Sequence, residues 1–345
     1  KLPRGLSYIA KEALKRKVDF GIWLEPEMVN PQSGLYQKHP DWIITQPKRT
    51  PILGRHQEIL DLTRPEVQAF EWQVIDKTLR PNPDISYVKW DCNRYITQPG
   101  SGYLQPAEQS HLWIDYNWAL YRLMERFSKE FPNVMAMLCA GGSGRVDYGA
   151  LPYFHSFWPS DNTDPLGRIK IQWGFSHFFP ASTISAHVTR MGKRHLKLAI
   201  DVALSGAFGI DLALDKATAE ERVQIADAVK LYKASIRPLV MQGELYRLVS
   251  PYEHPMASLS YVSTDKNDAV VYLYQIQDGS VPQVILGGLD ARKNYRVEEV
   301  GLPKGSTSRF PGHGKIFSGA ELMSTGIANP LNAQFESAIL LLKTQ

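Results

Sequence analysis

The sequence predicts a parallel α/β domain followed by an all-β domain, and two observations lead to this prediction. In the first two-thirds of the chain, short apolar runs alternate with amphipathic stretches at the spacing of parallel βαβ units. Beyond about Pro251, apolar runs follow one another with Gly, Pro, Asn and Asp between them, which is typical of an antiparallel sandwich. We therefore expect an α/β domain over residues 1–248 and a β-sandwich over residues 249–345.

The elements of the α/β domain are predicted in order from periodicity and capping signals. The predicted strands are Val18–Leu24, Ile85–Asp91, Asn133–Cys139, His155–Trp158, Phe178–His187 and Ala207–Leu214. The predicted helices are Lys1–Lys17, Val67–Leu79, Ser110–Lys129 and one that begins after Thr218. Two helices are expected to start at capping boxes, in which Thr63 precedes Glu66 and Thr218 precedes Glu221 by three residues.

The all-β domain is predicted from apolar runs bounded by turn residues. These runs are Ala269–Gln275, Val284–Leu286, Tyr295–Glu298 and Ala338–Leu342. Their lengths suit strands, and the residues between them favour reversals of the chain. No helix is expected among them.

Composition argues against several classes of protein. The 39 Lys and Arg residues barely exceed the 35 Asp and Glu residues, and the densest basic stretch, Gly192–Lys197, is interpreted as a solvated face, so no nucleic-acid partner is expected. No apolar run is long enough to span a bilayer, so no membrane partner is expected. The histidines lack the close spacing of a zinc site, so no metal is expected. No signal-peptide pattern opens the sequence, which leaves a cytoplasmic or a periplasmic location open.

Polar residues cluster where four predicted strands end. The clusters are Trp23–Glu27, Lys89–Arg94, Cys139–Arg145 and Trp158–Asp164. Because the carboxyl ends of parallel strands in a barrel meet at one face, these side chains are expected to lie together. Burying a carboxylate without partners costs free energy, so a functional site explains four such clusters better than four separate ion pairs.

Two carboxylates at such a face suit the hydrolysis of glycosides, in which one attacks the anomeric carbon and the other protonates the leaving oxygen. Lys89 precedes Asp91 by two residues, on the same side of the strand, and is expected to lower the pKa of Asp91. Asp161, close to Trp158 in the sequence, is expected to be the less solvated acid.

Spacing alone does not choose this pair, because Glu25, Glu27 and Asp164 also follow predicted strands. Glu25 and Glu27 flank Pro26 and are interpreted as hydrogen-bonding scaffold or as contacts to sugar hydroxyls.

The segment after the third predicted strand combines a thiol, a glycine run and a basic residue. Cys139 and Cys92 lie in apolar runs and are expected to be free buried thiols, since two cysteines make no disulfide framework. The glycines from Gly141 permit close approach of the backbone to a ligand. Arg145 is expected to pair with Asp147 rather than to bind a ligand.

Seven sequence motifs follow one another between residues 23 and 214. They are WLEPEMV, RHQEILDLT, KWDCNR, CAGGSGR, WPSDNTD, AHVT and SGAFGIDLAL. In this order they resemble the motifs of the glycoside hydrolase family 36 α-galactosidases. A looser similarity continues through Gly243–Pro251 into the C-terminal β-sandwich of that family, so the resemblance covers nearly the whole chain.

The resemblance implies a (β/α)8 TIM barrel, a retaining double displacement and no cofactor. It implies that Asp91 is the nucleophile and that Asp161 is the acid/base. The implied substrate contacts are Trp23, Arg55, Lys89, Cys139 and Gly141, and Trp158 is expected to join them. Because the Cys and the Gly border the C2 hydroxyl in the family, galactose is favoured over N-acetylgalactosamine. The implied partners are an α-galactoside oligosaccharide of the raffinose type and further copies of the chain, in a homo-oligomer.

The chain departs from the family at several positions. Cys92 stands where the family usually has Met, which is interpreted as a neutral change in the core. Leu138 replaces a polar residue and Ser143 interrupts the glycine run, and both changes keep α-N-acetylgalactosaminidase or galactosyl transferase activity as alternatives.

The family's DDGWF motif has no counterpart before Trp23. We therefore expect the chain to begin inside the barrel, with about six of the eight strands that this fold has. A non-catalytic sugar-binding remnant is accordingly a third alternative.

Overall fold

The structure is a computed structural model that describes residues 2–279, 281 and 283–345. It divides into two compact units, the first ending at Trp158 and the second beginning at Pro159. The predicted domain limits of 1–248 and 249–345 divide the chain elsewhere and stay a prediction.

The first unit is built on a parallel sheet. Its elements are α1 (Gly5–Leu14), β1 (Phe20–Leu24), β2 (Met28–Val29), α2 (Gly34–Lys38), β3 (Glu58–Ile59), α3 (Pro65–Leu79), β4 (Ile85–Trp90), α4 (Leu112–Glu130), β5 (Met135–Leu138) and β6 (Ser156–Phe157). The sheet has the order β1-β4-β5-β6 with every neighbouring pair parallel, while β2 and β3 form an antiparallel pair.

The alternation of side chains along β4 separates the core from the candidate site. Val88 and Trp90 are fully buried, and the Trp90 ring packs edge-on against Phe127 of α4 at 6.0 Å between ring centroids. Since successive side chains of a strand point to opposite faces, Lys89 lies on the other face of the sheet. The register places Lys89 beside Trp23 of β1.

The second unit combines further βα elements with antiparallel strands. Its elements are α5 (Pro165–Phe175), β7 (Ser185–Val188), α6 (Leu196–Ala203), β8 (Ala207–Ile210), α7 (Ala219–Leu231), α8 (Arg237–Gln242), β9 (Glu244–Val249), β10 (Met256–Val262), β11 (Asp268–Gln275), β12 (Gln283–Val284), β13 (Asn294–Val300), β14 (Ile316–Ser318), α9 (Gly319–Ser324), β15 (Ile327–Ala328) and β16 (Ser337–Thr344). Strands β7 and β8 are parallel. A single π-helical turn, Tyr232–Ile236, joins α7 to α8.

The antiparallel sheet of the second unit has the order β14-β13-β16-β11-β10-β9 and is buried on both faces at its centre. Alternate residues of β11, such as Val270 and Tyr272, share a core with α6 and α8. The intervening residues Val271 and Leu273 share a second core with β12, β15 and α9. Burial on both faces explains why β11 has no charged residue between Ala269 and Tyr274.

Four tyrosine hydroxyls bind the carbonyls at the end of α6. The acceptors, in order, are the carbonyl oxygens of Asp201, Leu204, Ser205 and Gly206, and the donors are Tyr274 at 3.1 Å, Tyr272 at 2.8 Å, Tyr261 at 2.8 Å and Tyr232 at 3.1 Å. The last carbonyls of a helix have no partner within it, so these buried hydroxyls take the place of water. Strands β10 and β11 thereby hold the end of α6.

The structure confirms most predicted elements and corrects one helix start. The capping box at Thr218 and Glu221 is confirmed. The capping box predicted at Thr63 is wrong, because the Thr63 hydroxyl bonds to the Asp61 carboxylate at 2.6 Å and Arg64 is the N-cap of α3.

Other corrections concern strands. The predicted strand Phe178–His187 is shortened to β7, because the chain first passes through a turn and a 3₁₀ helix at Ala181–Thr183. Strands β9 and β10 were not predicted. In β10, Ser258 and Ser260 interrupt the apolar run that would have indicated a buried strand, although both serines are buried. The short helix α9 within the all-β region was not predicted either. No helix among the described residues combines the length and apolarity needed to cross a bilayer.

The tyrosine contacts generate a prediction about stability. Replacing Tyr272, which is fully buried, by Phe leaves the Leu204 carbonyl without its donor, and we expect the free energy of unfolding to fall by about 1–3 kcal/mol. Urea unfolding followed by fluorescence measures the change. Tyr252→Phe is the matched control, because its hydroxyl also binds a carbonyl, that of Lys170, but its side chain is 64% exposed. Equal effects of the two substitutions would contradict this account.

Candidate active site

Asp91 lies directly after β4 and is 4% exposed. Its backbone N–H donates to the Leu24 carbonyl at 2.8 Å, so the parallel ladder continues to this residue. The Trp23 indole N–H donates to Asp91 Oδ2 at 2.9 Å, and the Cys92 N–H donates to Oδ1 at 2.9 Å. Both carboxylate oxygens therefore have a donor.

These donors decide the charge state of Asp91. Burial raises its pKa, but hydrogen bonds from the side chains of Trp23, Asn93 and Cys139 and from the Cys92 N–H outweigh burial, so the pKa lies below its usual value. The hydrogen-bond donors produce this effect, rather than Lys89 as the sequence predicts. The carboxylate is ionised at neutral pH, as a nucleophile requires.

The residues that follow the next two strands complete a layer beside Asp91. Cys139 follows β5 and donates its N–H to the Trp90 carbonyl at 2.7 Å, and Trp158 follows β6 and donates its N–H to the Leu138 carbonyl at 2.9 Å. Cys139 and Trp158 pack together, both nearly buried. The Lys89 ammonium lies 5.3 Å from the centre of a Trp158 ring, within range of a cation–π interaction. Trp23 is 50% exposed, so its ring is open to solvent while its N–H is engaged.

Arg55 is held at the rim of the site by a polar network. It donates to Asn93 Oδ1 at 3.2 Å, and Asn93 donates to Glu25 Oε1 through its backbone at 2.9 Å and its side chain at 2.8 Å. Gln57 donates to the other Glu25 oxygen at 2.7 Å. Glu25 therefore supports the site by hydrogen bonding, which is one of the two interpretations that the sequence allows.

The turn that carries Arg55 has an unfavourable backbone. Gly54 and Gln57 are paired as in a hairpin, and the two residues between them, Arg55 and His56, have φ values of 55° and 60°. Left-handed conformations are costly for non-glycine residues and persist where surrounding contacts impose them. The Gly54–Gln57 bridge and the hydrogen bond to Asn93 hold the exposed Arg55 in this conformation.

A buried ion pair supports the floor of the site. Glu27 is fully buried, accepts from the Tyr116 hydroxyl at 2.5 Å, and pairs with Arg145 at 2.9 Å. Arg145 also donates to the Cys92 sulfur at 3.1 Å. The predicted Arg145–Asp147 pair is wrong, because Asp147 accepts from Tyr121 instead, at 2.7 Å.

Glu71 on α3 adds a second buried carboxyl group to this region. Burial, and then the charge of Glu27, raise its pKa well above the usual value, against the effect of Arg145. The raised pKa favours the neutral form of Glu71, and in that form Arg145 balances the single charge of Glu27.

Gly141 opens the loop after Cys139. It has a φ of 58°, and among the described residues other than Gly141 and its two chain neighbours no heavy atom lies within 4 Å of the position that a Cβ would occupy. Gly142, with a φ of 101°, accepts from the Ala140 N–H at 2.8 Å, which closes a tight turn. The turn requires glycine conformations and leaves open space beside Gly141.

Asp161 belongs to the second unit, three residues after Trp158 in the chain, and is exposed. The prediction of a poorly solvated acid is therefore wrong. The loop around it is ordered by contacts of its own: Asn162 N–H donates to the Ser160 hydroxyl at 3.0 Å, and the Asp164 N–H donates to Asn162 Oδ1 at 3.0 Å.

The structure brings Trp23, Lys89, Asp91, Cys139 and Trp158 together in the first unit, with Arg55 linked through Asn93. Sequence reasoning missed Asn93 and Gln57, although both stand inside motifs that it used, because nothing in the spacing shows which side chain completes a hydrogen-bond network. Among the described residues, no group of three or more His, Cys, Asp or Glu side chains could hold a metal ion.

A parallel α/β sheet that carries an ionised carboxylate, a lysine and an open tryptophan face at its carboxyl end has the arrangement of the catalytic face of a (β/α)8 barrel. Comparison with family models agrees: the model described as Melibiase matches residues 1–243, and the model of the glycosyl hydrolase family 36 C-terminal domain matches residues 256–342. The chain belongs to the glycoside hydrolase family 36 α-galactosidases, or melibiases. The predicted resemblance and the predicted fold class, a partial TIM barrel followed by an antiparallel β domain, are confirmed.

Individual relatives show how much of the family's length this chain spans. α-Galactosidase AgaA of Geobacillus stearothermophilus is 38% identical over 339 residues, which cover 96% of this chain and 44% of AgaA. The crystal structure of GH36 α-galactosidase AgaB from the same organism matches with a TM-score of 0.91 and 37% identity, covering 100% of this chain and 47% of AgaB. An AgaA variant crystallised in complex with raffinose matches with a TM-score of 0.90 and 36% identity, over 99% of this chain and 47% of that one. The chain spans about half the length of the relatives it matches.

The site's two cysteines generate a prediction about reactivity. Both are free thiols, 1–3% exposed, and burial above all raises the pKa of each to about 12. Only the thiolate is nucleophilic, and at pH 8 such a pKa leaves about one thiol in 10⁴ ionised. We expect no reaction with Ellman's reagent in the native protein and reaction of two thiols after denaturation. If the native protein reacts, a Cys139→Ser variant shows which of the two thiols is responsible. Rapid reaction of Cys139 in the native protein would contradict its burial and its raised pKa.

Proposed function

We propose that this chain provides the catalytic residues of a retaining hydrolase of terminal α-galactosides, with Asp91 as the nucleophile and Asp161 as the acid/base. The observation that carries the proposal is Asp91 itself, a nearly buried carboxylate whose pKa is lowered by donors from the ends of neighbouring strands. Membership of the family supports the substrate class, and the motif WPSDNTD supports the role of Asp161.

The proposed reaction has two steps. First, Asp161 gives its proton to the glycosidic oxygen while an Asp91 oxygen attacks the anomeric carbon; the bond to the leaving group breaks and a β-linked galactosyl ester on Asp91 forms. Then Asp161, now ionised, takes a proton from water, whose oxygen attacks the same carbon and releases Asp91. Galactose leaves with the α configuration of the substrate.

The surrounding residues suit the binding of a sugar. The Trp23 ring is half exposed while its N–H is bound to Asp91, so its face is available to the apolar C–H groups of galactose. Lys89 and Arg55 supply donors for hydroxyls, and Trp158 lies under Lys89. Cys139 and Gly141 are proposed to border the C2 hydroxyl.

Raffinose-type oligosaccharides are the proposed substrates. AgaA variants of Geobacillus stearothermophilus were crystallised with raffinose and with stachyose, at 36–37% identity to this chain. Assembly into a homo-oligomer, which the resemblance implies, stays a prediction.

The catalytic roles are checked by azide rescue. We expect Asp91→Ala and Asp161→Ala each to lower turnover of p-nitrophenyl α-galactoside, the former by more than about 10³-fold, because each removes a group that acts on the reacting atoms. Azide should restore activity to Asp91→Ala with a β-galactosyl azide as product and to Asp161→Ala with an α-galactosyl azide, both identified by NMR.

Asp227→Ala on α7, which removes an exposed carboxylate, is the control and should turn over as wild type does. A wild-type protein that is inactive on this galactoside and active on its N-acetyl analogue would instead indicate an N-acetylgalactosaminidase. Inactivity on both would overturn the hydrolase proposal in favour of a sugar-binding remnant.

The Trp23 hydrogen bond gives a prediction for the pH profile. Trp23→Phe keeps an aromatic ring but removes the N–H that stabilises the Asp91 carboxylate. The pKa of Asp91 then rises, so activity is lost at a higher pH on acidification, and the acid limb of kcat/KM should move up by about 1 pH unit. Trp118→Phe, at an exposed position of α4, is the control. An acid limb that stays in place in Trp23→Phe would mean that this hydrogen bond does not set the charge of the nucleophile.

A further inference from the structure

The loop that carries Asp161 is tied to the end of β7 by a pair of threonine hydroxyls. Thr163, nearly buried, and Thr189, the residue after β7, have their hydroxyl oxygens 2.8 Å apart. Thr189 Oγ1 also accepts from the Met191 N–H at 3.1 Å, and the Thr163 N–H donates to the Met191 sulfur at 3.2 Å. The hydroxyl pair thus links the Asp161 loop to the end of β7 and, through Thr189, to the turn that begins at Met191.

Asp161 has a second anchor on its other side. The Ser160 carbonyl, one residue before it, accepts a long hydrogen bond of 3.4 Å from Arg168 of α5, whose side chain is almost fully buried. Arg168 also donates to the carbonyl of Ser185, the first residue of β7. Asp161 therefore stands between two residues that are both linked to β7, while its own carboxyl group is exposed.

We propose that Thr189 is a positioning residue for the acid/base step: through the Thr163 hydroxyl it holds the backbone from which Asp161 reaches the leaving oxygen. The inference rests on the proposed role of Asp161. A general acid acts only within hydrogen-bond reach of the oxygen that it protonates, and a displacement of about 1 Å costs about 10²-fold in rate. Thr189 touches no reacting atom in this account and acts through the loop alone.

The contact has the properties that such a role needs. Each threonine hydroxyl has one donor and two acceptor sites, so the pair bonds whichever of the two donates. Thr189 also accepts a hydrogen bond from the Met191 N–H, which orients its hydroxyl group. The oriented Thr189 hydroxyl in turn orients the Thr163 hydroxyl to which it is bonded. Removal of either hydroxyl breaks the bond between the two threonines. Removal of the Thr189 hydroxyl also takes the acceptor from the Met191 N–H, and removal of the Thr163 hydroxyl also takes away a contact of 3.7 Å to the Met191 sulfur.

A series of leaving groups separates positioning from mere stability. Thr189→Val is nearly isosteric and removes only the hydroxyl. With raffinose, whose leaving group needs a proton, we expect kcat/KM to fall about tenfold; with 2,4-dinitrophenyl α-galactoside, whose leaving group needs none, it should stay within about twofold of wild type. Thr189→Ser keeps the hydroxyl and should restore the raffinose rate to within about twofold.

Two further variants complete the design. Thr183→Val is the matched control, because Thr183 is a buried threonine at the opposite end of β7 whose hydroxyl donates to the Pro180 carbonyl at 2.7 Å; it should leave the ratio of the two rates unchanged. The double variant Thr163→Val/Thr189→Val should lose less than the product of the losses in Thr163→Val and Thr189→Val alone, since the two substitutions break the same hydroxyl pair.

The outcomes distinguish the inference from the function on which it rests. The ratio of rates on the two substrates does not depend on how much of the protein is folded, so partial unfolding of a variant cannot imitate the effect. Equal losses on both substrates, or none, would overturn the role of Thr189 while Asp161→Ala still shows a strong dependence on the leaving group. If Asp161→Ala shows no such dependence, the acid/base assignment itself fails.

Discussion

Burying a carboxylate at the end of an apolar strand costs free energy unless donors meet it, and Asp91 meets this constraint with donors from three neighbouring strand ends. Trp23 belongs to β1, Cys92 and Asn93 follow β4 with Asp91 itself, and Cys139 follows β5. A charged Asp91 therefore depends on the register of the parallel sheet. A shift of β1 by one residue would turn Trp23 to the opposite face and remove its N–H from the carboxylate.

The polar groups beneath the site follow from the same constraint. Loops that deliver donors to Asp91 must be fixed, and the buried Glu27–Arg145 pair fixes two of them, since Arg145 belongs to the loop after β5 and also binds the Cys92 sulfur. One charged pair with a neutral Glu71 costs less desolvation than two ionised carboxylates around one arginine would. Polar side chains thus lie where hydrogen bonds must orient the loops of the site. The opposite face of the sheet, where Trp90 packs against α4, is apolar.

Sequence reasoning reached the fold, the family and the residues that end each strand, because periodicity and motif order are local properties. It did not reach the partners of those residues. The sequence predicts that Arg145 pairs with Asp147, two positions away, whereas its partner Glu27 lies 118 positions earlier. It also predicts that Thr63 caps a helix, whereas the Thr63 hydroxyl binds the Asp61 carboxylate. Local spacing favours near partners, and only the folded chain shows that a distant group with better geometry is available. Strand β10 was missed for a related reason, since Ser258 and Ser260 look exposed in sequence and are buried in fact.

The β domain explains how the second unit can bury α6 at all. A helix of eight residues between β7 and β8 ends with several carbonyls that no residue of the helix can satisfy, and four tyrosine hydroxyls satisfy them inside the core. Three of the four tyrosines come from β10 and β11, so the antiparallel sheet provides what water provides for an exposed helix. The strand next to α6 is β7, whose end carries Thr189. On the role argued above, the contacts that position Asp161 connect through β7 and α6 to the antiparallel sheet, so this sheet supports the acid/base step indirectly.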